Sequence, residues 1–343
     1  MITLRSVFAV LALLLCLPGR AQTPVNEAGF VTIGGIQQWL TIKGDDSANP
    51  VILFLHGGPA NPLSPYADAI YGAWQKDYTL VQWDQRGGGM TYGANPAPQD
   101  SRLTVAQMSD DGIAVTNYLL HHLGKRKLIL MGSSWGSILG VHMIKARPQL
   151  FYAYIGTAQV VDYRTSQRAS YHDVLALASA AGDHDTVERL NALGTPPWTN
   201  PRSFGVLRRA VRKYEALSTE PAPDNWWKRA PLYATPKALL DFDEGEDYSF
   251  LQFVGQHGDG MFSRVDLAAL GPTFHVPFLM VQGAQDLLTR PAIGRSYFDS
   301  IVAPHKTYVL VPRAGHDPNP AMLAAQYRLL REQVQPLLAD PAQ

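Results

Sequence analysis

Leu128-Ile129-Leu130-Met131-Gly132-Ser133-Ser134-Trp135-Gly136-Ser137-Ile138-Leu139 opens as an apolar run with strand character and closes as a run that suits a helix. Between them Gly132 to Gly136 fits the pattern Gly-x-Ser-x-Gly. Where a strand turns sharply into a helix, the two backbones approach so closely that the residues two before and two after the tip need to be almost without side chains. Gly132 and Gly136 meet that need around Ser134, whereas Ser133 and Ser137 have no glycine pair at that spacing. The junction is therefore expected to present the hydroxyl of Ser134.

The flanking sequence repeats this strand-then-helix grammar. Val51 to Leu55 is five apolar residues without alternation, the mark of a strand buried on both faces of a parallel sheet. Further strands are expected at Tyr78 to Trp83, Lys127 to Met131, Tyr152 to Ile155, Phe278 to Gln282 and Thr307 to Val311. Helices are expected at Thr104 to Leu123, Ser137 to Ala146, Arg290 to Phe298 and Ala321 to Leu338, with Phe30 to Ile42 as a hairpin turning at Gly34-Gly35. This alternation predicts an α/β fold built on a mostly parallel, doubly wound sheet. From 159 to 270 the grammar changes to helical stretches, Ser170 to Ala181 and Phe204 to Leu217, and proline-broken loops around Pro196-Pro197 and Pro221 to Pro236. That segment reads as a mainly helical cap over the carboxyl edge of the sheet, where such folds bind ligands. The expected organisation is a core at 28–158 and 271–340 interrupted by a cap at 159–270.

The 343 residues are 46% hydrophobic and 17% charged, which suits a large core and not disorder. A formal net charge of zero favours neither a nucleic-acid partner nor an anionic membrane. Residues 1–21 read as a secretory signal: Arg5, an apolar run from Val7 to Leu17, then Pro18 and the small residues Gly19 and Ala21, with cleavage expected after Ala21. An apolar run this short falls below the ~20 residues a spanning helix needs. The expected location is secreted or periplasmic. The single cysteine, Cys16, lies in the removed part, which leaves no disulfide, thiolate or cysteine-based metal site to invoke, and no cofactor is called for.

A serine needs a base to take its proton and a third group to orient that base. His316 follows the run Val309-Leu310-Val311 through Pro312 to Gly315, a late strand leading into a loop on the same sheet edge as Ser134. Asp286 leaves Val281-Gln282 through Gly283-Ala284-Gln285 and falls between serine and histidine in chain order, as this fold requires. Asp286 read alone is equally a turn aspartate or a helix cap, and His316 a loop histidine; it is the order Ser134, Asp286, His316 at three strand ends that makes them a triad. Asp317, adjacent to the histidine, is badly placed to face its ring. The oxyanion of acyl transfer needs donors. Trp135 N–H, at the helix start, is one; Pro59 has none, so Gly57 or Gly58 in His56-Gly57-Gly58-Pro59 supplies the other. His56 reads as structural.

HGGP at 56–59, DQRGGGMT at 84–91 and GSSWGS at 132–137, followed by Asp286 and His316, resemble the proline iminopeptidase group of α/β hydrolases, which commonly shows HGGPG, DQRGxGxS and GGSWGS. The resemblance implies Ser134, Asp286 and His316 as the triad, Trp135 and Gly58 as oxyanion donors, and a cap over the site. It also implies an aminopeptidase acting on short peptides or amides through an acyl-enzyme. Two departures stand out. Ala60 replaces the glycine after Pro59, which predicts a different loop path, and the Trp-x-x-Trp-Glu setting that carries the group's amine-binding carboxylate is not evident. Asn225-Trp226-Trp227-Lys228-Arg229 has the tryptophans but basic residues after them; Glu215, Glu220, Glu244 and Glu246 are the candidate carboxylates, though each reads more readily as solvated surface charge. Trp226, Trp227, Tyr233, Phe250 and Phe253 read as cap core, and Asp84 with Arg86 as a loop-fixing ion pair. The alternatives are a carboxylesterase or lactonase on small esters, or a binding protein that kept the fold and lost the chemistry.

Overall fold

The unalternating apolar runs become the interior of one eight-stranded sheet in a computed structural model that describes residues 22–58, 60–98 and 101–338. The leader expected at 1–21, and Pro59, lie outside the described residues. The strands are β1 (Val25–Ile33), β2 (Ile36–Gly44), β3 (Val51–Leu55), β4 (Thr79–Asp84), β5 (Leu128–Ser133), β6 (Phe151–Thr157), β7 (Phe278–Gly283) and β8 (Lys306–Val311). Their spatial order is β1-β2-β4-β3-β5-β6-β7-β8. From β4 to β8 every neighbouring pair is parallel, while β1 and β2 add an antiparallel edge. The hairpin turns at Gly34 and Gly35, both at positive φ, as an Asn-Gly-like turn demands. Every residue of β3, β4 and β7 is buried, whereas β8, at the far edge, is largely exposed or half-buried.

The helices are α1 (Ala67–Tyr71), α2 (Gly89–Ala94), α3 (Val105–His122), α4 (Trp135–Ala146), α5 (Tyr163–Ala180), α6 (His184–Leu193), α7 (Pro201–Glu215), α8 (Pro236–Val254), α9 (Pro291–Ser300), α10 (Pro320–Leu329) and α11 (Gln335–Leu338). A π-helical turn at Leu330–Val334 joins the last two. Two large apolar clusters include strand side chains from the two faces of the sheet: Leu53, Leu55, Leu128 and Leu130 on one, Ile52, Phe54, Ile129 and Met131 on the other. Residues alternate between them because successive strand side chains point to opposite faces.

Between β6 and β7 the chain builds α5 to α8, a helical cap with an apolar cluster of its own: Tyr171, Val174, Leu190, Leu207, Val211 and Tyr214, joined by Leu287 from the loop after β7. Helices α6 and α8 are additions to what the sequence predicts, and α5 begins seven residues earlier than expected. Each has a side-chain cap at its start: Asp162 for α5, Asp183 for α6, Asn200 for α7 and Thr235 for α8. Among the described residues no helix is long and apolar enough to cross a membrane.

Candidate active site

The turn from β5 into α4 places Ser134 at φ 51° and ψ −119°, a left-handed conformation that a side-chain-bearing residue rarely adopts. Its N–H donates to the carbonyl of Thr157 (3.0 Å), which ties the tip to the end of β6. Both glycines are sterically required. A Cβ on Gly132 would lie 2.5 Å from the Gly136 carbonyl oxygen, and one on Gly136 would overlap the carbonyl of Leu55. Ser137, the rival hydroxyl, is buried and committed to structure: it donates to the Ser134 carbonyl (2.6 Å) and accepts from Val160 N–H (3.0 Å).

Asp286, after β7, and His316, after β8, meet Ser134 at the same rim. His316 Nε2 lies 3.0 Å from Ser134 Oγ, and His316 Nδ1 lies 3.1 Å from Asp286 Oδ2. Asp286 is fully buried and saturated with donors. Oδ1 accepts from Leu288 N–H (2.8 Å) and Thr289 N–H (2.7 Å); Oδ2 accepts from Thr289 Oγ1 (2.5 Å) and Gln282 Nε2 (2.9 Å). The turn reading of this aspartate and the orienting reading therefore both hold. Burial pushes the Asp286 carboxyl up, but the His316 charge and the hydrogen bonds from His316 and Thr289 outweigh it and hold it below the usual carboxylate range. Burial pushes the His316 imidazole down, and Asp286, by charge and hydrogen bond, reverses this and leaves it raised. With Asp286 ionised, Nδ1 carries the proton and Nε2 is free to accept from Ser134. Asp317 is exposed and faces Arg208 at 3.6 Å instead of bonding the His316 ring.

The loop after β3 lies against the serine. A Cβ on Gly57 would stand 3.4 Å from Ser134 Cβ, and one on Gly58 3.6 Å from Trp135 Cδ1. Ala60 keeps a left-handed φ of 38°, a conformation that favours glycine. His56 is structural, as expected. Its Nδ1 bonds the Gly57 carbonyl (2.7 Å), its Nε2 accepts from Gln85 N–H (3.2 Å), and burial, partly opposed by the Gly57 bond, lowers its pKa to about 4. Gln85 also accepts from the Trp135 indole (3.0 Å), so one neutral network braces both sides of the serine.

The expected pairing of Asp84 with Arg86 is not formed. Arg86 turns outward to Asp111 (2.7 Å) and the Gly34 carbonyl (2.9 Å). Asp84, buried, accepts from Ser64 Oγ (2.5 Å) and Met90 N–H (2.9 Å); burial, opposed by those two bonds, raises its pKa to about 7. Asp84 is the last residue of β4 and Arg86 lies two residues on, in the turn that follows, where strand alternation no longer holds the two side chains on one face.

Of the four candidate cap glutamates, Glu220 is exposed and paired with Arg313 (3.0 Å), Glu244 is exposed, and Glu246 is half-buried, raised first by burial and then by the charges of Asp243 and Asp247. Glu215 alone of these is buried, 7% exposed at the end of α7, against the Asp286 and His316 loops. Burial and the Asp286 charge raise its carboxyl. Trp226, Tyr233 and Phe253 are buried, but against the sheet rather than in the cap's own cluster: Trp226 and Phe253 join the clusters on the two sheet faces and the Tyr233 hydroxyl accepts from the Trp39 indole; Phe250 is half-buried and Trp227 remains 44% exposed. Among the described residues no cluster of side chains is arranged to hold a metal.

A parallel sheet carrying a serine at a strand-to-helix elbow, with a histidine and an aspartate from later strand ends, defines a serine hydrolase. The chain belongs to the alpha/beta hydrolase fold family, whose sequence profile matches residues 50–320. It is 30% identical to a probable aminopeptidase, YbaC, of Bacillus subtilis over 84% of this chain and 90% of that one. It is 25% identical to a probable proline iminopeptidase of Streptomyces coelicolor over 89% and 95% of the two chains. The crystal structure of a proline iminopeptidase from Mycobacterium smegmatis superposes with a TM-score of 0.64 at 19% identity, covering 91% of this chain and 98% of that one.

Proposed function

We propose that this hydrolase is an aminopeptidase of proline iminopeptidase type, releasing the first residue of short peptides or amides through an acyl-enzyme. In this reading His316 Nε2 takes the Ser134 proton as Oγ attacks the scissile carbonyl. The Trp135 and Gly58 amides stabilise the oxyanion, and His316 returns the proton to the leaving amine. Water, activated by the same imidazole, then releases the acyl group. The observation that carries the reading is the unbroken line from Asp286 through His316 to Ser134, with 3.1 and 3.0 Å contacts. The names of the relatives point to peptides. A second reading, hydrolysis of small esters or lactones, is favoured by one observation: Glu215 already directs both oxygens to backbone N–H groups. Comparing kcat/KM for proline p-nitroanilide and p-nitrophenyl acetate tests the choice; a strong preference for the acetate would remove the peptidase. Export is part of the proposal, supported by the leader-like order of residues at 1–21, Arg5 followed by the apolar run Val7 to Leu17, and N-terminal sequencing of the purified protein should find Gln22 first.

A further inference from the structure

Glu215 does something at this site that no sequence feature predicts. Its Oε1 accepts from Leu287 N–H (2.7 Å) and its Oε2 from His316 N–H (3.1 Å). Leu287 directly follows Asp286, and His316 is the base itself, so one carboxylate joins the two loops whose separation sets the Asp286–His316 contact. Close approach is provided for: a Cβ on Gly315 would stand 2.7 Å from Glu215 Oε2. Other contacts flank the same seam. Leu287 packs into the cap's apolar cluster, Arg208 of α7 faces Asp317 at 3.6 Å, and Arg290 after the acid loop pairs with Asp173 of α5 at 2.6 Å.

We propose that Glu215 is a positioning residue, a cap carboxylate that holds the acid and base loops in register, so that the triad's geometry depends on the seating of α7. Two buried N–H groups from irregular loops need acceptors, and only a carboxylate offers one oxygen to each. A glutamine can satisfy one and must point its own N–H₂ at the other. Among the described residues, the charged groups that act on His316 include Asp286, Glu215 and Asp317, opposed by Arg208, so removing Glu215 removes one negative charge that favours the protonated ring.

The test uses p-nitrophenyl acetate, which has no amine, and counts competent sites by titration with a fluorophosphonate. Glu215→Gln should lower kcat on the ester on the order of a hundredfold, the scale of a small misplacement of catalytic groups. KM should stay nearly constant, and the acid limb of kcat/KM should move to lower pH. Gly315→Ala, which pushes a methyl group against Oε2 from the other side, should reproduce the loss of kcat without removing the charge, and so carries the test should Glu215→Gln fail to fold. Glu220→Gln, in the exposed pair with Arg313, should leave kcat unchanged. Unchanged ester kcat in Glu215→Gln together with a raised KM for proline p-nitroanilide would overturn the proposal and make Glu215 a group that binds substrate amine. Failure of the peptidase reading would instead appear in the unsubstituted enzyme's choice between the two substrates.

Discussion

Replacing Asp286 with asparagine keeps the shape of the side chain and changes only what it can accept. Oδ1 receives two backbone N–H groups, from Leu288 and Thr289, that cannot rotate away. The amide oxygen of the variant is therefore held on that side. Its N–H₂ must then take the place of Oδ2, 3.1 Å from His316 Nδ1. Facing a donor, the imidazole shifts its proton to Nε2, which lies 3.0 Å from Ser134 Oγ and is thereby lost as an acceptor. The cost to folding is small by comparison. Gln282 Nε2 loses the carboxylate but keeps the Thr289 carbonyl at 2.9 Å, and the Thr289 hydroxyl can turn to accept. A change in stability of about 1–2 kcal/mol is expected from hydrogen bonds of this kind. The cost to catalysis follows the tautomer: the equivalent change in a protease of unrelated fold lowers kcat by about 10⁴, or ~5.5 kcal/mol of barrier. Steady-state turnover of p-nitrophenyl acetate at pH 8, alongside a denaturant midpoint, separates the two effects. Asp286→Asn with kcat near that of the unsubstituted enzyme would refute the claim that this carboxylate sets the imidazole's tautomer.

Three further outcomes follow from the same geometry. Ser134→Ala should abolish turnover with little change in melting temperature, because the N–H to Thr157 and the left-handed backbone are kept; substantial remaining hydrolysis would remove Ser134 as the nucleophile. Because Asp286 raises the His316 pKa, the neutral ring predominates only above the ordinary ~6.5, so kcat/KM should climb with pH along a limb centred higher than that value; a flat profile from pH 5 to 9 contradicts His316 as base. Asp84 titrates near 7 when folded against ~3.9 when unfolded, so the unfolded chain loses its proton first and stability falls as pH rises from about 4 to 7. Asp84→Asn should therefore raise the melting temperature at pH 8 relative to the unsubstituted protein and not at pH 4; equal effects at both would mean the buried carboxyl carries no such penalty.

Much of the sheet and the triad could be read from the residues because each rests on a local constraint. Unalternating runs such as Val51 to Leu55 have no stable place except a doubly covered sheet, and the glycines at 132 and 136 follow from the sharpness of the strand-to-helix turn, although the carbonyl that excludes a side chain at 136 belongs to Leu55 of a neighbouring strand. The cap was legible only in outline. The buried face of α8 includes Ala238, Asp241, Gly245 and Ser249 beside Phe242, Tyr248 and Phe253, so its helical period is carried partly by polar and small residues. The start signal, Thr235 capping ahead of Pro236, was present in the sequence and is the feature that locates it. Thr289 and Gln282 went unrecognised as supports of Asp286, although a glutamine inside the apolar run Phe278–Gly283 marks a buried hydrogen-bonding demand. The Asp84–Arg86 pairing fails because a two-residue spacing keeps side chains on one face only inside a strand, and β4 ends at Asp84, leaving Arg86 to Asp111.

The polar groups of the core leave little freedom for the chemistry to vary. Asp286 holds four donors besides His316, and the His56–Gln85–Trp135 network fixes the other side of the serine. The cap's contacts with the core near the base include an exposed pair at Glu220–Arg313, backbone bonds of Glu220 to Arg313 and Asn319, a loose pair at Arg208–Asp317, the packing of Leu287, and the two buried bonds of Glu215. Exposed ion pairs contribute at most about 1 kcal/mol each, whereas a buried carboxylate that loses both N–H partners leaves an uncompensated charge costing several times that. Of the charged contacts at this seam, those of Glu215 therefore weigh most in the seating of α7. Any motion of α7 large enough to break those two bonds would release the loops that carry Asp286 and His316 at the same moment.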